Sequence, residues 1–311
     1  WTIRMDRTRR GWESMSRTDV WFVSGGARCA AWLYVPDESS QPPPIIVMAH
    51  GLGAVRQMRL DAFADRFTAE GYACLVFDYR HFGDSAGRPR QLLSIRRQLD
   101  DWAAAIAFAR SLDNVDRSRV VLWGTSFGGG HVMVAGHRDG AVAAVIAQCP
   151  FTSGVASTLA MEPLASVRVT GRALADVASM VIRREPVTVA LAGEPGSVAL
   201  MTASDVVPGY LPLVPDGLPF TNAVAARVGL TIPLHTPGRS LRKLTCPTLV
   251  CACDRDTVAP VKPTVKYASQ NPNVRLRRYD EGHFDIYVGN GFEKVTTDQI
   301  AFLRDVVPIS R

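Results

Sequence analysis

Short apolar runs alternate with longer stretches of helical spacing along most of the chain. The runs are continuous rather than alternating, which is typical of parallel strands that are covered on both faces. The predicted strands lie at 45–49, 73–78, 120–124, 142–148, 248–253 and 274–279. Helical spacing of apolar residues occurs at 58–70, 92–110, 127–137, 260–270 and 296–306. This alternation predicts an α/β fold with a mostly parallel central sheet and helices on both faces.

The start of the chain departs from this rhythm. Two β-rich runs at 19–24 and 28–35 flank the dipeptide Gly25-Gly26. Adjacent glycines between two strand patterns predict an antiparallel β-hairpin, here placed before the first parallel strand.

The stretch at 151–242 also breaks the pattern, because it is much longer than an ordinary crossover between two strands. It contains a helical pattern at 174–184 and a loop-like part, rich in proline and glycine, at 208–219. We therefore expect one α/β core domain formed by residues 1–150 and 243–311. Residues 151–242 would then be an inserted cap over the carboxyl edge of the sheet.

The composition is that of a globular protein with a basic surface. The chain has 311 residues, of which 47% are apolar and 21% are charged, and its formal net charge is +6. Most cationic residues are scattered arginines, apart from one group near the start: Arg4, Arg7, Arg9 and Arg10. Scattered charge without a nucleic-acid-binding motif is typical of a solvated surface, so we do not expect nucleic acid as a partner.

Cysteine usage and hydropathy indicate a cytoplasmic protein. Most of the six cysteines lie in apolar runs, where a reduced thiol packs as a small hydrophobe. Cys251 and Cys253 lack the C-x-x-C spacing and the nearby histidine of a zinc site, so we expect neither a metal nor a cofactor. No apolar run reaches the length of a membrane span, about 18 residues, and residues 1–16 lack the apolar core of a signal peptide.

A serine flanked by glycines marks the candidate nucleophile. Residues 124–128 read Gly-Thr-Ser-Phe-Gly and lie where a predicted strand gives way to a helix. A serine on such a sharp turn projects its hydroxyl into a site, and the small residues around it let neighbouring backbone approach. The helix N-terminus offers unpaired N–H groups to a developing oxyanion. We therefore predict Ser126 as the nucleophile and the N–H of Phe127 as one oxyanion donor.

A second glycine-rich loop follows the strand predicted at 45–49. Residues 48–53 read Met-Ala-His-Gly-Leu-Gly. An oxyanion hole needs two donors aimed at one point, and we predict that the N–H of Leu52 is the second. We expect His50 to be structural rather than catalytic.

Two loops near the C-terminus supply a carboxylate and an imidazole. Asp254 and Asp256 both follow the strand predicted at 248–253. We favour Asp256 as the carboxylate that orients the histidine, because it lies shortly before the proline that opens the next helix. Asp254 is the alternative. His283 follows the last predicted strand, and the ordinary pKa of histidine suits proton transfer near neutral pH. We predict His283 as the general base.

These four loops, in this order along the chain, resemble the α/β-hydrolase superfamily. The resemblance covers about residues 20–148 and 244–307. It includes residues 78–85, Asp-Tyr-Arg-His-Phe-Gly-Asp-Ser, which are similar to the Asp-x-x-Gly-x-Gly-x-Ser loop of the family. His81 stands where a small residue is common, so the local turn is expected to differ. The sequence looks closest to bacterial hydrolases of the dienelactone-hydrolase and acyl-peptidase-like type.

The resemblance implies a triad of Ser126, His283 and Asp256, with Phe127 and Leu52 as oxyanion donors. The expected function is hydrolysis of a carboxylic ester of an apolar small molecule through an acyl-enzyme. Hydrolysis of a C–C bond in a β-diketone and hydrolysis of an amide or peptide stay open, because they use the same triad. A catalytically silent ligand-binding protein on this fold is the non-enzyme alternative. A homodimer also stays open.

Large apolar residues in the insertion are candidates for the substrate pocket. They are Met161, Met180, Met201, Tyr210 and Phe220. Each fits the interior of the insertion equally well, so the sequence does not identify the substrate.

Overall fold

The computed structural model describes residues 16–37 and 41–309. The arginine group at Arg4, Arg7, Arg9 and Arg10 lies outside these residues, as does almost all of the segment to which the signal-peptide prediction applies.

A twisted sheet of eight strands forms the centre of the molecule. The strands are Ser16–Ser24 (β1), Ala27–Val35 (β2), Pro44–Ala49 (β3), Ala73–Phe77 (β4), Asp116–Thr125 (β5), Ala144–Gln148 (β6), Thr248–Cys253 (β10) and Val274–Tyr279 (β11). Their spatial order is β1-β2-β4-β3-β5-β6-β10-β11. β2 pairs antiparallel with β1 and β4, and all later pairings are parallel. The predicted mostly parallel sheet with an antiparallel hairpin at its start is therefore confirmed.

Helices flank this sheet. They are Leu60–Ala69 (α1), Ile95–Ser111 (α2), Phe127–Asp139 (α3), Val261–Ala268 (α9) and Gly289–Val306 (α10). β3 and β4 are buried at every position, because helices cover both faces of the sheet. Within the described part of the chain, no helix is long and apolar enough to cross a membrane.

The last helix begins earlier than its spacing predicts. It starts at Gly289 rather than at residue 296. Its first turns carry Phe292, whose ring packs edge-on against Phe63 with centroids 4.8 Å apart. This long-range contact buries a stretch whose glycines weaken the helical pattern.

The segment between β6 and β10 contains its own small sheet. Its helices are Gly154–Ala160 (α4), Pro163–Val181 (α5), Val206–Tyr210 (α6), Val228–Thr231 (α7) and Gly238–Leu241 (α8). Its strands are Thr188–Ala192 (β7), Ala199–Met201 (β8) and Ala223–Ala225 (β9), in the order β8-β7-β9. These strands were not predicted, and the part predicted as loop at 208–219 begins instead with the end of α6 and a 3-10 turn at Leu211–Leu213.

Candidate active site

Ser126 occupies a sharp turn between β5 and α3. Its backbone has φ 56° and ψ −120°, a conformation that residues with side chains rarely adopt. The turn needs glycines on both sides. A Cβ on Gly124 would lie 2.3 Å from the carbonyl oxygen of Gly128, and a Cβ on Gly128 would lie 2.4 Å from that of His50. The geometry is that of the strand-to-helix turn expected from the sequence.

The structure brings the three side chains of the predicted triad into one hydrogen-bonded chain. His283 Nε2 lies 3.0 Å from Ser126 Oγ, and His283 Nδ1 lies 2.7 Å from Asp256 Oδ2. The imidazole and the carboxylate are almost completely buried, with 2% and 1% of their side-chain surface exposed. The chain thus links a hydroxyl, a proton acceptor and a carboxylate in the order that nucleophilic catalysis requires.

Asp256 is fixed by its own loop. Its Oδ1 accepts hydrogen bonds from the N–H groups of Val258 at 2.9 Å and Ala259 at 2.6 Å, which leaves Oδ2 for His283. Asp254, the alternative, instead forms an exposed ion pair with Arg278 at 2.8 Å. The geometry therefore leaves Asp254 away from the imidazole.

The protonation of His283 depends on two opposing effects. Burial lowers its pKa, because the charged form loses water. The Asp256 carboxylate raises the pKa by stabilising the imidazolium, and Cys149 adds to this rise, so the pKa of His283 lies well above its ordinary value. Because the carboxylate accepts from Nδ1–H, the neutral ring has its free electron pair on Nε2, toward the serine hydroxyl.

His50 shapes the loop that faces the serine. The N–H of Gly51 donates to His50 Nδ1 at 2.7 Å, so Nε2 carries the ring proton and donates to the carbonyl of Met58 at 2.9 Å. Complete burial lowers the pKa of His50 to about 4, and the ring is neutral at physiological pH. These contacts give His50 a structural position and engage the N–H of Gly51.

The two predicted oxyanion donors lie beside the serine. Leu52 and Phe127 line a cavity together with Ser126. Among the hydrogen bonds of the described residues, neither backbone N–H of this pair has an acceptor. The hydroxyl of Tyr210 donates to the carbonyl of Leu52 at 3.0 Å, which ties this residue to the inserted segment. This contact of Tyr210 was not predicted.

A buried ion pair lies just after the loop that contains Leu52. The guanidinium of Arg56 pairs with Asp78, and the Arg56 N–H donates to the same carboxylate at 2.7 Å. Neither side chain has more than 4% of its surface exposed.

His81, in the loop after β4, has a backbone φ of 75°. A residue with a side chain therefore holds a conformation that favours glycine.

Three polar side chains lie behind the imidazole, and the sequence did not identify them. Cys149 Sγ lies 4.0 Å from His283 Nε2 and 3.7 Å from the hydroxyl of Tyr287, which also contacts Thr125. Cys149 directly follows β6. Its position at the carboxyl end of a parallel strand is the sequence feature that could have identified it as a residue of the site.

The cavity at Ser126 has a volume of about 670 Å³. Its apolar lining comes from both the core and the inserted segment, and includes Phe151, Val169, Leu200, Met201, Ile232 and Val258. Glu162 is its only ionisable lining residue in the described part of the chain, and Glu162 is largely exposed.

The five pocket candidates from the sequence have different positions. Met161 and Met201 line this cavity. Tyr210 lines a small recess beside Ser126 and His283. Met180 lines a separate groove, and the ring of Phe220 packs against Tyr210 with centroids 6.1 Å apart.

Comparisons with known proteins give the family. The family model described as "Serine aminopeptidase, S33" matches residues 40–288. The quorum-quenching protein AidA of Acinetobacter baumannii is 54% identical over 291 residues, covering 94% of this chain and 95% of AidA. The thiohydrolase aneE of Aspergillus aculeatus is 25% identical, with 95% of each chain covered. The solved structure of the α/β-hydrolase GrgF from Penicillium sp. sh18 has a TM-score of 0.80 at 24% identity, covering 94% of this chain and 99% of GrgF. This chain therefore belongs to the serine aminopeptidase S33 family of α/β-hydrolases.

Proposed function

We propose that this protein hydrolyses carboxylic esters of apolar small molecules through an acyl-enzyme on Ser126. The observation that carries the proposal is the buried hydrogen-bond chain from Ser126 through His283 to Asp256, with distances of 3.0 and 2.7 Å. His283 is the general base, and Asp256 orients its ring and stabilises the imidazolium.

Acylation follows from the position of the proton acceptor. Ser126 Oγ attacks the carbonyl carbon of the ester while its proton moves to His283 Nε2. The carbonyl electron pair moves to oxygen, and the N–H groups of Leu52 and Phe127 donate to the resulting oxyanion. Collapse of the tetrahedral intermediate expels the alcohol, which takes the proton from the imidazolium.

Deacylation repeats these steps with water. His283 removes a proton from a water molecule, which attacks the acyl carbon on Ser126. The second tetrahedral intermediate collapses, the carboxylic acid leaves, and Ser126 Oγ regains its proton from His283. Tyr210, through its hydrogen bond to Leu52, keeps one oxyanion donor in position through both steps.

The lining of the cavity supports an uncharged, apolar acyl group. Its volume of about 670 Å³ lies within the usual range of small-molecule sites. A peptide cleaved by an aminopeptidase carries an α-ammonium group, which a carboxylate would recognise. Glu162 is the single carboxylate among the lining residues that the structure describes, and its exposure favours an ester over a free N-terminal peptide.

We also propose that residues 151–242 act as a cap. Side chains of α4 and α5 line one side of the cavity, and Leu52, Ser126 and the loop at 257–259 line the other. Substrate specificity would then depend mainly on the inserted segment, because it supplies most of the apolar wall.

We keep the cytoplasm as the proposed location. All six cysteines are free thiols, and five of them are buried. Reduced thiols fit a compartment in which glutathione and thioredoxin prevent disulfide formation.

The proposal is tested with a panel of substrates and one inactive variant. We expect purified protein to hydrolyse p-nitrophenyl esters of graded acyl length, with kcat/KM varying with chain length. Ser126→Ala should lower the rate by several orders of magnitude, because the nucleophile is lost. An anilide and a β-diketone in the same panel test the amide and C–C alternatives. Turnover of the diketone alone would refute the ester proposal, and undiminished turnover by Ser126→Ala would refute the triad.

A further inference from the structure

The outer face of α5 carries a regular row of apolar residues that nothing in the described chain covers. Their spacing alternates between three and four residues along the helix. We call the row the α5 seam; it consists of Leu164, Val167, Gly171, Leu174, Ala178 and Val181. All six are exposed, and more than half of the surface of each leucine and valine among them is exposed.

The α5 seam is not the core-facing side of the helix. The opposite side buries Ala165, Val169 and Ala173, and Val169 also lines the cavity at Ser126. Asp176 on that side pairs with Arg227 through two hydrogen bonds of 2.7 and 2.9 Å. Because these contacts fix the rotation of α5, the seam cannot turn inward without breaking a buried ion pair.

Two features of the seam favour another helix as its partner. Apolar residues at alternating spacings of three and four form the a and d positions of a helix that packs along its length on a similar helix. Gly171 lies in the middle of the seam, and nothing comes within 4 Å of a Cβ placed there. A small residue at this position lets a second helix approach closely.

The size of the patch approaches what a dimer needs. Ile182, the residue directly after α5, extends it and is also exposed. At about 30 Å² per aliphatic carbon, the four leucines and valines of the seam and Ile182 together expose roughly 330 Å² of apolar surface. A standard interface buries about 800 Å² per partner, of which about 450–520 Å² is apolar.

The charged side chains of α5 lie beside the α5 seam and not within it. Arg168 and Arg172 donate to the carbonyls of Gly196 and Thr188 in the same chain. The carboxylate of Asp176 is buried and paired. The seam itself is therefore uncharged along its length, which suits a second uncharged helix face.

From this geometry we propose that the α5 seam binds the α5 seam of a second copy of this chain, forming a two-fold homodimer. A two-fold axis brings the same patch of both subunits together, so one self-complementary row is sufficient. The dimer does not depend on the chemistry at Ser126, and its failure would leave the ester proposal unchanged.

Sedimentation equilibrium of the full chain tests the dimer with a matched pair of variants. We expect a dimer at micromolar concentration, and we expect Val167→Glu and Leu174→Glu to raise its dissociation constant by about 100-fold or more, because each buries an unpaired charge. Val23→Glu is the control, since Val23 is similarly exposed but lies on β1. A wild-type monomer at about 100 μM, or a dimer that persists in both seam variants, would overturn the proposal.

A second measurement covers the case in which the glutamate variants fold poorly. Leu174→Cys treated with a bifunctional maleimide should give a covalent dimer, whereas Val23→Cys should stay monomeric. Equal cross-linking of both variants would overturn the proposal. So would a protein that remains monomeric while its seam binds phosphatidylcholine vesicles, which would make α5 a membrane-surface helix.

Discussion

The carboxylate of Asp256 should control the pH at which His283 becomes active. The imidazole must be neutral to accept the serine proton, so kcat/KM should rise with pH through the pKa of His283. In the wild type this pKa lies above its ordinary value of about 6.5, because Asp256 together with Cys149 outweighs burial. Asp256→Asn removes the charge and leaves the burial, so the inflection should move to lower pH.

The size of the shift follows from the distance and the burial. The interacting atoms lie 2.7 Å apart, and both side chains are almost fully buried. Two unit charges about 4 Å apart interact by about 4 kcal/mol at an effective dielectric constant near 20. At about 1.4 kcal/mol per pKa unit, loss of the carboxylate should lower the inflection by up to about three units. The maximal rate should also fall, by about 10³–10⁴-fold, because the ring loses its correct tautomer.

The assay is the pH profile of kcat/KM for a p-nitrophenyl ester from about pH 5 to pH 9, across the range where histidine titrates. Asp254→Asn is the matched control, since Asp254 lies on the same loop but pairs with Arg278 in solvent. The control should keep the wild-type inflection and most of the wild-type rate. An inflection that stays in place or moves to higher pH in Asp256→Asn would refute this account of the imidazole.

Three further substitutions test the surroundings of the site. Gly51→Ala places a Cβ 2.7 Å from the Cβ of Ser126, so this residue must shift and kcat should fall about 100-fold or more in the ester assay. Arg56→Ala leaves the buried Asp78 carboxylate without its counter-charge, with only backbone N–H donors, and should lower the free energy of unfolding by about 3–5 kcal/mol in urea titrations. A loss below about 1 kcal/mol would mean that the pair behaves as a surface ion pair. Val169→Phe fills part of the cavity and should shift the ester preference toward shorter acyl chains, and an unchanged chain-length profile would show that the acyl group lies elsewhere.

The core elements were predictable because strands buried on both faces are continuously apolar in the sequence. β3 and β4 are apolar at every position, since helices cover both faces of the sheet. The grouping of Ser126, Asp256 and His283 also follows from the chain, because each comes after a strand of one sheet and parallel strands end at the same edge.

The rest depends on contacts between distant parts of the chain. β8 and β9 have three residues each, which is too short for an alternating pattern to emerge. The hydrogen bond from Tyr210 to Leu52 joins residues 158 positions apart. No local pattern around either residue encodes this contact, so only the folded chain reveals that the inserted segment supports the loop at residues 50–53.

Mass spectrometry after treatment with a fluorophosphonate probe tests the central claim most directly. The probe phosphonylates a serine only when a neighbouring base activates it and donors stabilise its oxygen. We expect one adduct per chain on the peptide that contains Ser126, and little or none in Ser126→Ala or His283→Ala. A folded wild-type protein that stays unlabelled, or that carries its adduct on another residue, would contradict the proposed catalytic site.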